Sequence, residues 1–135
     1  MAELKRILHV DDDEDIRAIT RLALETVSNF EVCHCANGPD AVAMAEDFRP
    51  DLFLLDYMMP GWDGEQTANE LHMLPSMGQV PVVYMTARVQ GDVRAELLGK
   101  GAIGVIAKPF DPMALGEDLR RMWQDYQEAR GRAAR

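Results

Sequence analysis

The sequence predicts an α/β sandwich of three layers, in which a parallel sheet of five strands lies between two layers made by five helices. Short apolar runs alternate along the chain with longer segments of helical spacing, and the connections between them are brief. The clearest runs cover 7–10, 52–55, 82–85 and 104–107. Runs of that length, followed by turn residues, are typical of strands buried on both faces. Strands that alternate with helices favour a parallel sheet with right-handed crossovers.

The amino-terminal half contains two predicted strand–helix units. The first strand covers 3–10 and leads into a helix that opens at Asp13, where carboxylates suit the positive end of the helix dipole. The second strand covers 31–36, and its helix, capped by Asp40, ends at Arg49 because the residue before a proline avoids helical geometry. Two sets of apolar residues at helical spacing should face the core, and two arginines should face outwards. The inward sets are Ile16, Ile19, Ala23 and Val27, then Val42, Ala45 and Phe48, and the outward residues are Arg17 and Arg21.

The carboxyl-terminal half continues the same alternation. A third strand, 52–55, is followed by a helix over 65–74, and a fourth strand, 81–85, by a helix over 92–98. A fifth strand, 103–107, precedes a last helix that begins after Pro112 and carries one broad apolar stripe. The stripe consists of Leu115, Leu119, Met122, Trp123 and Tyr126. Residues 128–135, which are rich in arginine and alanine, should fray.

The composition is that of one globular domain that is poorly suited to binding polyanions. The 135 residues are 47% hydrophobic and 27% charged, and the net charge is −9. This charge disfavours nucleic acid and anionic membranes as direct partners. No apolar run approaches the roughly 20 residues of a membrane helix, and the start lacks an apolar signal core, so a cytoplasmic location is expected. Cys33 and Cys35 should share one face of a strand and pack in the core, since no further ligands accompany them to make a zinc site.

Polar residues stand where four of the predicted strands end. Asp11 and Asp12 follow the first strand, Asp56 the third, Thr86 the fourth and Lys108 the fifth. The carboxyl ends of parallel strands share one edge of a sheet, where ligands bind, so these groups should meet. Clustered carboxylates repel one another unless a cation offsets their charge, and oxygen ligands of this kind suit Mg²⁺. With an ammonium and a hydroxyl nearby, the edge is suited to hold a phosphoryl group, with Asp56 as nucleophile.

Other interpretations of these residues are weaker. The acidic run 11–15 is compatible with a solvated helix start, but Asp56 at the same edge favours a site. A calcium loop is excluded because its sixth and twelfth positions hold Ile16 and Leu22 instead of glycine and glutamate. The three histidines show no partner pattern and are expected to have core or surface roles. Trp62, in the loop after the third strand, is either an exposed loop residue or a contact for a partner, and exposure is favoured.

Four short motifs stand at the strand ends in a fixed order. They are Val10-Asp11-Asp12-Asp13, Leu55-Asp56-Tyr57-Met58-Met59-Pro60-Gly61-Trp62-Asp63-Gly64, Met85-Thr86-Ala87 and Lys108-Pro109-Phe110. In this combination the chain, from Leu4 to about Tyr126, resembles the receiver domain of two-component response regulators. The resemblance implies a flavodoxin-like, doubly wound fold with strand order 2-1-3-4-5. We expect a receiver domain over 1–127 and a tail over 128–135. Only 25 residues follow Phe110, too few for a DNA-binding output domain, so the regulator is expected either to work alone or to be a piece cut after its receiver.

The resemblance further implies how the acidic residues act. Asp56 is the phosphoacceptor, and the donor is a sensor histidine kinase or a histidine phosphotransfer protein. Mg²⁺, with Mn²⁺ as an alternative ion, is held by Asp12, Asp56 and the backbone carbonyl of Met58. Asp11 acts on the ion through a bound water.

Residues beyond the acidic cluster are implied to report phosphorylation to a partner. Thr86 moves towards the phosphoryl group, Lys108 pairs with it, and the peptide bond that follows Lys108 is cis. Receivers usually place an aromatic residue three positions before the lysine, where this chain has Val105, so the usual coupling of threonine to aromatic ring cannot operate. Met58 and Arg88 occupy positions that tune how long the phosphoryl group lasts. The expected switch and partner residues are Ala87, Arg88, Val105 and Pro109, beside a face of the fourth helix, fifth strand and fifth helix around Arg94, Val105 and Arg120.

The function predicted from these residues is that of a phosphorylation-dependent signalling module. It should catalyse no reaction beyond its own phosphorylation and dephosphorylation, and it should contact a downstream protein as a monomer or weak homodimer. A small phosphatase with an aspartate nucleophile is disfavoured, because Met58 stands where such enzymes favour a second acid. A scaffold receiver that is never phosphorylated is disfavoured by the intact acid, hydroxyl and lysine set, although Val105 is consistent with it.

Overall fold

A computed structural model describes residues 3–88 and 92–133 and contains one five-stranded sheet. The strands are β1 (Arg6–Val10), β2 (Glu31–Cys35), β3 (Leu52–Asp56), β4 (Val82–Thr86) and β5 (Gly104–Ala107). The helices are α1 (Glu14–Arg21), α2 (Gly38–Phe48), α3 (Gly64–His72), α4 (Asp92–Gly99) and α5 (Leu115–Ala133), and a π-helical segment, Leu22–Val27, continues α1. The sheet has the order β2-β1-β3-β4-β5 with parallel pairings, so the predicted flavodoxin-like sandwich and its strand order are confirmed.

Two hydrophobic cores, one on each face of the sheet, hold the layers together. β3 lies at the centre and is buried along its whole length, with Phe53 and Leu55 in one core and Leu52 and Leu54 in the other. The first core packs against α2, α3 and α4, and the second against α5 and the π-helical segment. Side chains alternate across a strand, so a strand covered on both faces needs apolar residues at consecutive positions. This requirement explains the uninterrupted apolar run.

The strand and helix ends differ from the predicted limits by a few residues. β1 begins at Arg6 instead of residue 3, and β4 extends to Thr86. The cap of α2 is Asn37, whose Oδ1 accepts a hydrogen bond of 2.8 Å from the backbone N–H of Asp40. Asp40, the predicted cap, therefore lies inside the first turn, because an asparagine three residues earlier already satisfies its amide.

α5 is longer than the sequence predicts. It continues to Ala133 and so includes most of the segment for which fraying was predicted, and residues 134–135 lie outside the described part of the chain. Arginine and alanine are strong helix formers, and the guanidinium carbon of Arg130 lies 5.5 Å from the ring centroid of Tyr126. Among the residues described, neither this helix nor any other is both long enough and apolar enough to cross a bilayer.

The inward face of α1 is rotated from the predicted one. Thr20, Ala23 and Leu24 are fully buried, whereas Ile19 is 41% exposed and Val27 is 42% exposed. The π-helical segment changes the number of residues per turn and so shifts the face that meets the sheet. A stripe extrapolated at constant helical spacing therefore fails at Val27, whereas Ile19, which precedes the segment, lies outside the buried face formed by Thr20, Ala23 and Leu24.

The two cysteines pack on the face of the sheet that α2 covers. Both are free; Cys35 is buried and Cys33 is half-buried against the same core, which confirms the predicted packing role. Burial raises the pKa of the Cys35 thiol to about 12, with a further contribution from neighbouring Cys33. The thiolate that metal binding and oxidation require is thereby disfavoured.

Candidate functional site

Four strand ends at the carboxyl edge of the sheet carry the predicted site residues. Asp11 directly follows β1, and Asp56 is the last residue of β3, which pairs with β1. Thr86 is the last residue of β4, on the other side of β3, and Lys108 follows β5. Asp56 is in register with Met85, so Thr86 lies one residue further along the edge. The strand order thus brings these polar groups to one place.

Three carboxylates form a compact acidic cluster at this edge. One oxygen each from Asp11, Asp12 and Asp56 lie within 4.8 Å of one another. Asp11 and Asp56 are buried, whereas Asp12 is exposed. Burial, and then the charge of Asp11, raise the pKa of Asp56 to about 6, and nearby Lys108 opposes that rise. Oxygen ligands that repel one another in a partly buried cluster are the donor set that a hard divalent cation such as Mg²⁺ prefers.

Lys108 joins two of these carboxylates. Its Nζ lies 2.7 Å from Oδ2 of Asp11 and 3.3 Å from Oδ1 of Asp56. Burial alone would lower the pKa of Lys108, but the hydrogen bond and charge of Asp11, together with Asp56, outweigh it and raise the pKa. The ammonium is therefore held charged beside the cluster. The Lys108–Pro109 peptide bond is cis, as predicted.

The loops after β3 and β4 complete the edge. The backbone N–H of Met58 points to Oδ1 of Asp56 at 3.4 Å, while the Met58 side chain is 61% exposed. Thr86 is buried, and its Oγ1 accepts a hydrogen bond of 3.1 Å from the backbone N–H of Arg88. Because it accepts that bond, the Thr86 hydroxyl keeps its own proton for donation to a ligand. The remaining predicted residues of these loops, Ala87, Arg88 and Pro109, are exposed.

Gly64, the first residue of α3, packs directly against the end of β3. A Cβ at this position would lie 2.5 Å from the carbonyl oxygen of Asp56 and 2.8 Å from Cα of Tyr57. Backbone atoms cannot yield as a flexible side chain does, so we expect Gly64→Ala to lower the free energy of unfolding by about 1–3 kcal/mol. We also expect it to displace the Asp56 loop. Urea unfolding and amide chemical shifts of residues 56–58 measure the two effects.

Gly78→Ala is the matched control for Gly64→Ala. A Cβ on Gly78 would make only an ordinary contact, 3.6 Å from the carbonyl oxygen of His72. If Gly64→Ala and Gly78→Ala change the free energy of unfolding by the same amount, the close packing at Gly64 is contradicted.

Trp62 packs against the start of α2 instead of projecting into solvent. It is half-buried, and a Cβ on Gly38 would lie 2.5 Å from Cε3 of the indole. The predicted exposure of Trp62 is therefore wrong. Gly38 has no side chain and so leaves room for the indole, but the two residues are far apart in the sequence and no motif indicates that they meet. Trp62 stands six residues after Asp56, so its fluorescence reports on the loop of the site.

The family model described as the response regulator receiver domain matches residues 7–120 of this chain. The chain belongs to that family. Similar curated proteins include the phosphate regulon transcriptional regulatory protein PhoB of Pseudomonas aeruginosa, 37% identical over 116 residues and 86% of this chain. The response regulator PleD of Caulobacter vibrioides is 40% identical over 119 residues and 87% of this chain. This receiver domain spans 50% of the length of the first protein and 26% of the second.

Solved receiver structures agree with this fold over almost their full length. Chemotaxis protein CheY4 of Vibrio cholerae superposes with a TM-score of 0.79 at 28% identity, covering 88% of this chain and 98% of that one. A CheY-like receiver domain protein of Methanospirillum hungatei superposes with a TM-score of 0.77 at 28% identity, covering 94% and 99% respectively.

The face of this receiver domain around α4, β5 and α5 is a shallow groove of about 370 Å³. Arg94, Gly104 and Arg121 are among its lining residues. Val105 is only 3% exposed and pairs in register with Tyr84 of β4, so it contributes to the core under the face and offers no surface. Arg120 was expected at this face, and that expectation is wrong. One residue rotates about 100° around a helix, so Arg121 faces the groove in its place.

Arg120 instead ties α5 to the stretch between the π-helical segment and β2, which packs in the same core. Its Nη2 donates a short hydrogen bond to the carbonyl of Ser28, and its guanidinium lies 4.3 Å from the ring centroid of Phe30.

Two contacts near the receiver site escape sequence reasoning. Arg17, predicted to face outwards, is half-buried and its Nη1 donates a hydrogen bond of 2.7 Å to the carbonyl of Asp11. His9 and His34 place their Nδ1 atoms 3.0 Å apart on the adjacent strands β1 and β2. Their pairing follows from the register His9↔His34. The sequence contains both histidines at strand positions, but it does not contain the register that joins them.

Proposed function

We propose that this receiver domain accepts a phosphoryl group on Asp56 from the phosphohistidine of a sensor histidine kinase or a histidine phosphotransfer protein. The observation that carries the proposal is the position of Lys108, whose ammonium contacts Asp11 and Asp56, the two buried members of the acidic cluster. A carboxylate nucleophile flanked by a fixed cation and a free hydroxyl is the arrangement that phosphoryl transfer requires, since that reaction depends on positioning and charge neutralisation.

The transfer forms an oxygen–phosphorus bond on Asp56 and breaks the nitrogen–phosphorus bond of the donor, whose imidazole leaves. Lys108 would pair with one non-bridging oxygen of the phosphoryl group, and the Thr86 hydroxyl would donate a hydrogen bond to another. Both contacts offset the negative charge that the non-bridging phosphoryl oxygens carry in the transition state. The charge of Asp11 contributes to the raised pKa of Asp56. A cation that offsets the charge of the neighbouring carboxylates would lower that pKa and favour the ionised, nucleophilic form of Asp56.

The cofactor in this proposal is Mg²⁺, with Mn²⁺ as an alternative ion. Asp11, Asp12 and Asp56 would hold it, together with the backbone carbonyl of Met58. Their oxygen-only donor set and mutual proximity support this choice. When bound, the ion supplies positive charge that offsets the carboxylates and the phosphoryl oxygens.

The domain itself is proposed to act as a signalling module that catalyses only its own phosphorylation and dephosphorylation. Phosphorylation would shift a population of conformations at the groove around Arg94 and Arg121, where a downstream protein would bind. Phosphorylation would have to reach this groove by a movement other than the usual inward turn of an aromatic ring, because Val105 stands at that position. A cytoplasmic location, and a monomeric or weakly dimeric state, are part of the same proposal.

Intact-mass measurement after incubation with acetyl phosphate tests the proposed phosphoacceptor. With Mg²⁺ present, the wild-type chain should gain about 80 Da as a labile acyl phosphate, and chelation of the metal should prevent the gain. Asp56→Asn should show no gain. No adduct on the wild type with acetyl phosphate, phosphoramidate or a phosphorylated histidine kinase would refute the proposal, as would an adduct that persists in Asp56→Asn.

A further inference from the structure

Arg17 holds the first acidic residue of the site from the body of α1. Its Nη1 donates a hydrogen bond of 2.7 Å to the backbone carbonyl of Asp11. The other polar atoms of Asp11 are engaged as well: its N–H donates to the carbonyl of Cys35 at 3.1 Å, Oδ1 accepts from the N–H of Asp13 at 2.9 Å, and Oδ2 accepts from Lys108 at 2.7 Å. Asp11 is fully buried. A buried carbonyl that loses its partner is unfavourable, so the bond from Arg17 favours this position of the Asp11 carbonyl.

Asp12 depends on the same contact. Its carboxylate is exposed, and across residues 3–88 and 92–133 it has no hydrogen-bond or ion-pair partner that would fix it. The carbonyl of Asp11 and the nitrogen of Asp12 belong to one planar peptide unit. A hydrogen bond that fixes this carbonyl therefore fixes the backbone from which the Asp12 side chain extends.

We propose that Arg17 is a positioning residue for the divalent cation. By fixing the peptide unit between Asp11 and Asp12, it sets the Asp12 carboxylate where it completes the oxygen cluster. The inference rests on the proposed function, since it requires that the cluster holds Mg²⁺. Arg17 itself contacts neither the ion nor the phosphoryl group.

Charge and positioning predict opposite effects of removing Arg17. A guanidinium near the cluster repels a divalent cation, so electrostatics alone would make Mg²⁺ bind more tightly once Arg17 is neutralised. Loss of positioning would make Mg²⁺ bind more weakly, because Asp12 would no longer be held at the cluster. The direction of the change therefore separates the two roles.

The test is a Mg²⁺ titration followed by Trp62 fluorescence, in a Trp123→Phe background that removes the second tryptophan. We expect Arg17→Met to weaken Mg²⁺ affinity about tenfold, equivalent to about 1.4 kcal/mol. At saturating Mg²⁺, the rate of phosphorylation by acetyl phosphate should approach the wild-type rate. Arg17→Lys keeps the charge and places its donors on a single nitrogen without the planar fork, so its affinity should lie between the two, about threefold below wild type.

Arg21→Met is the matched control. Arg21 stands one turn further along, is exposed, and contacts Glu25 at 3.7 Å, so this variant makes the same charge change without touching Asp11. Mg²⁺ affinity that is unchanged or tighter in Arg17→Met would overturn the inference, as would equal weakening in Arg21→Met.

Two further results keep the test decisive. If Arg17→Met does not fold, Arg17→Lys decides the matter: weaker Mg²⁺ binding supports positioning and wild-type binding overturns it. If the wild-type chain itself binds no Mg²⁺, the proposed function fails, and this outcome differs from the others.

Discussion

Replacing Lys108 with methionine is expected to slow phosphorylation of Asp56 by at least about a hundredfold, because a fixed charge aimed at the transferred group is lost. The ammonium is 2.7 Å from Asp11 and 3.3 Å from Asp56. Among the described residues, no other side-chain cation forms an ion pair with either carboxylate. The measurement is the rate of mass gain with acetyl phosphate at saturating Mg²⁺. A rate within threefold of wild type would contradict the role assigned to Lys108.

The same change should also destabilise the domain in the absence of metal. Asp11 is fully buried, and the side chain of Lys108 is only 17% exposed, so removing the ammonium leaves buried carboxylates without their counter-charge. We expect a loss of about 2–4 kcal/mol in the free energy of unfolding, part of which Mg²⁺ should restore. Lys100→Met is the control. Lys100 makes comparable ion pairs with Glu65 and Glu96 but is 44% exposed, so its removal should cost much less.

The stability of the domain is expected to fall as the pH drops from about 6.5 to about 4, because of the histidine pair. Burial first, and then His34 itself, hold the pKa of His9 well below its usual range, while burial and Arg21 lower the pKa of His34 to about 4. The unfolded chain binds protons at about 6.5, before the folded chain does. The stabilisation is therefore complete above that pH and is lost on acidification, by about 2–3 kcal/mol for His34 alone.

Asp56 acts in the opposite direction over part of this range. Its pKa of about 6 in the folded chain exceeds its unfolded value, so its protonation favours the folded state as the pH falls. Two histidines should outweigh this one carboxyl group. Urea unfolding at pH 7.5 and pH 4.5 measures the balance. His34→Gln should reduce the loss on acidification and Asp56→Asn should increase it; equal losses in all three proteins would show that the pair does not contribute.

The sheet and the location of the site could be predicted because both depend on local patterns. A strand covered on both faces requires consecutive apolar residues, as in β3, and a parallel sheet delivers every strand's carboxyl end to one edge. Once Asp11, Asp56 and Lys108 are assigned to strand ends, their proximity follows from topology alone. In the structure, Lys108 contacts both carboxylates, and oxygens of Asp11 and Asp56 lie within 4.8 Å of each other.

The contacts that sequence reasoning missed depend on register and helical phase. His9 meets His34 because of the pairing between β1 and β2, which no short motif encodes. Arg17 is placed outwards by simple helical spacing, yet its long side chain reaches back over the start of α1 to Asp11. Arg120 differs from Arg121 by one position, and that single step decides which side of α5 each arginine occupies.

α4 is attached to the sheet by little apolar surface. Leu97 is its single fully enclosed residue, and an ion pair from Lys100, just beyond the helix, to Glu65 of α3 adds a contact at the surface. Exposing one buried leucine side chain to water costs about 2–3 kcal/mol. α3 buries Gly64, Thr67, Ala68 and Leu71, so α4 is expected to be displaced at a lower cost than α3, and the proposed phosphorylation of Asp56 would act on the domain surface by moving α4.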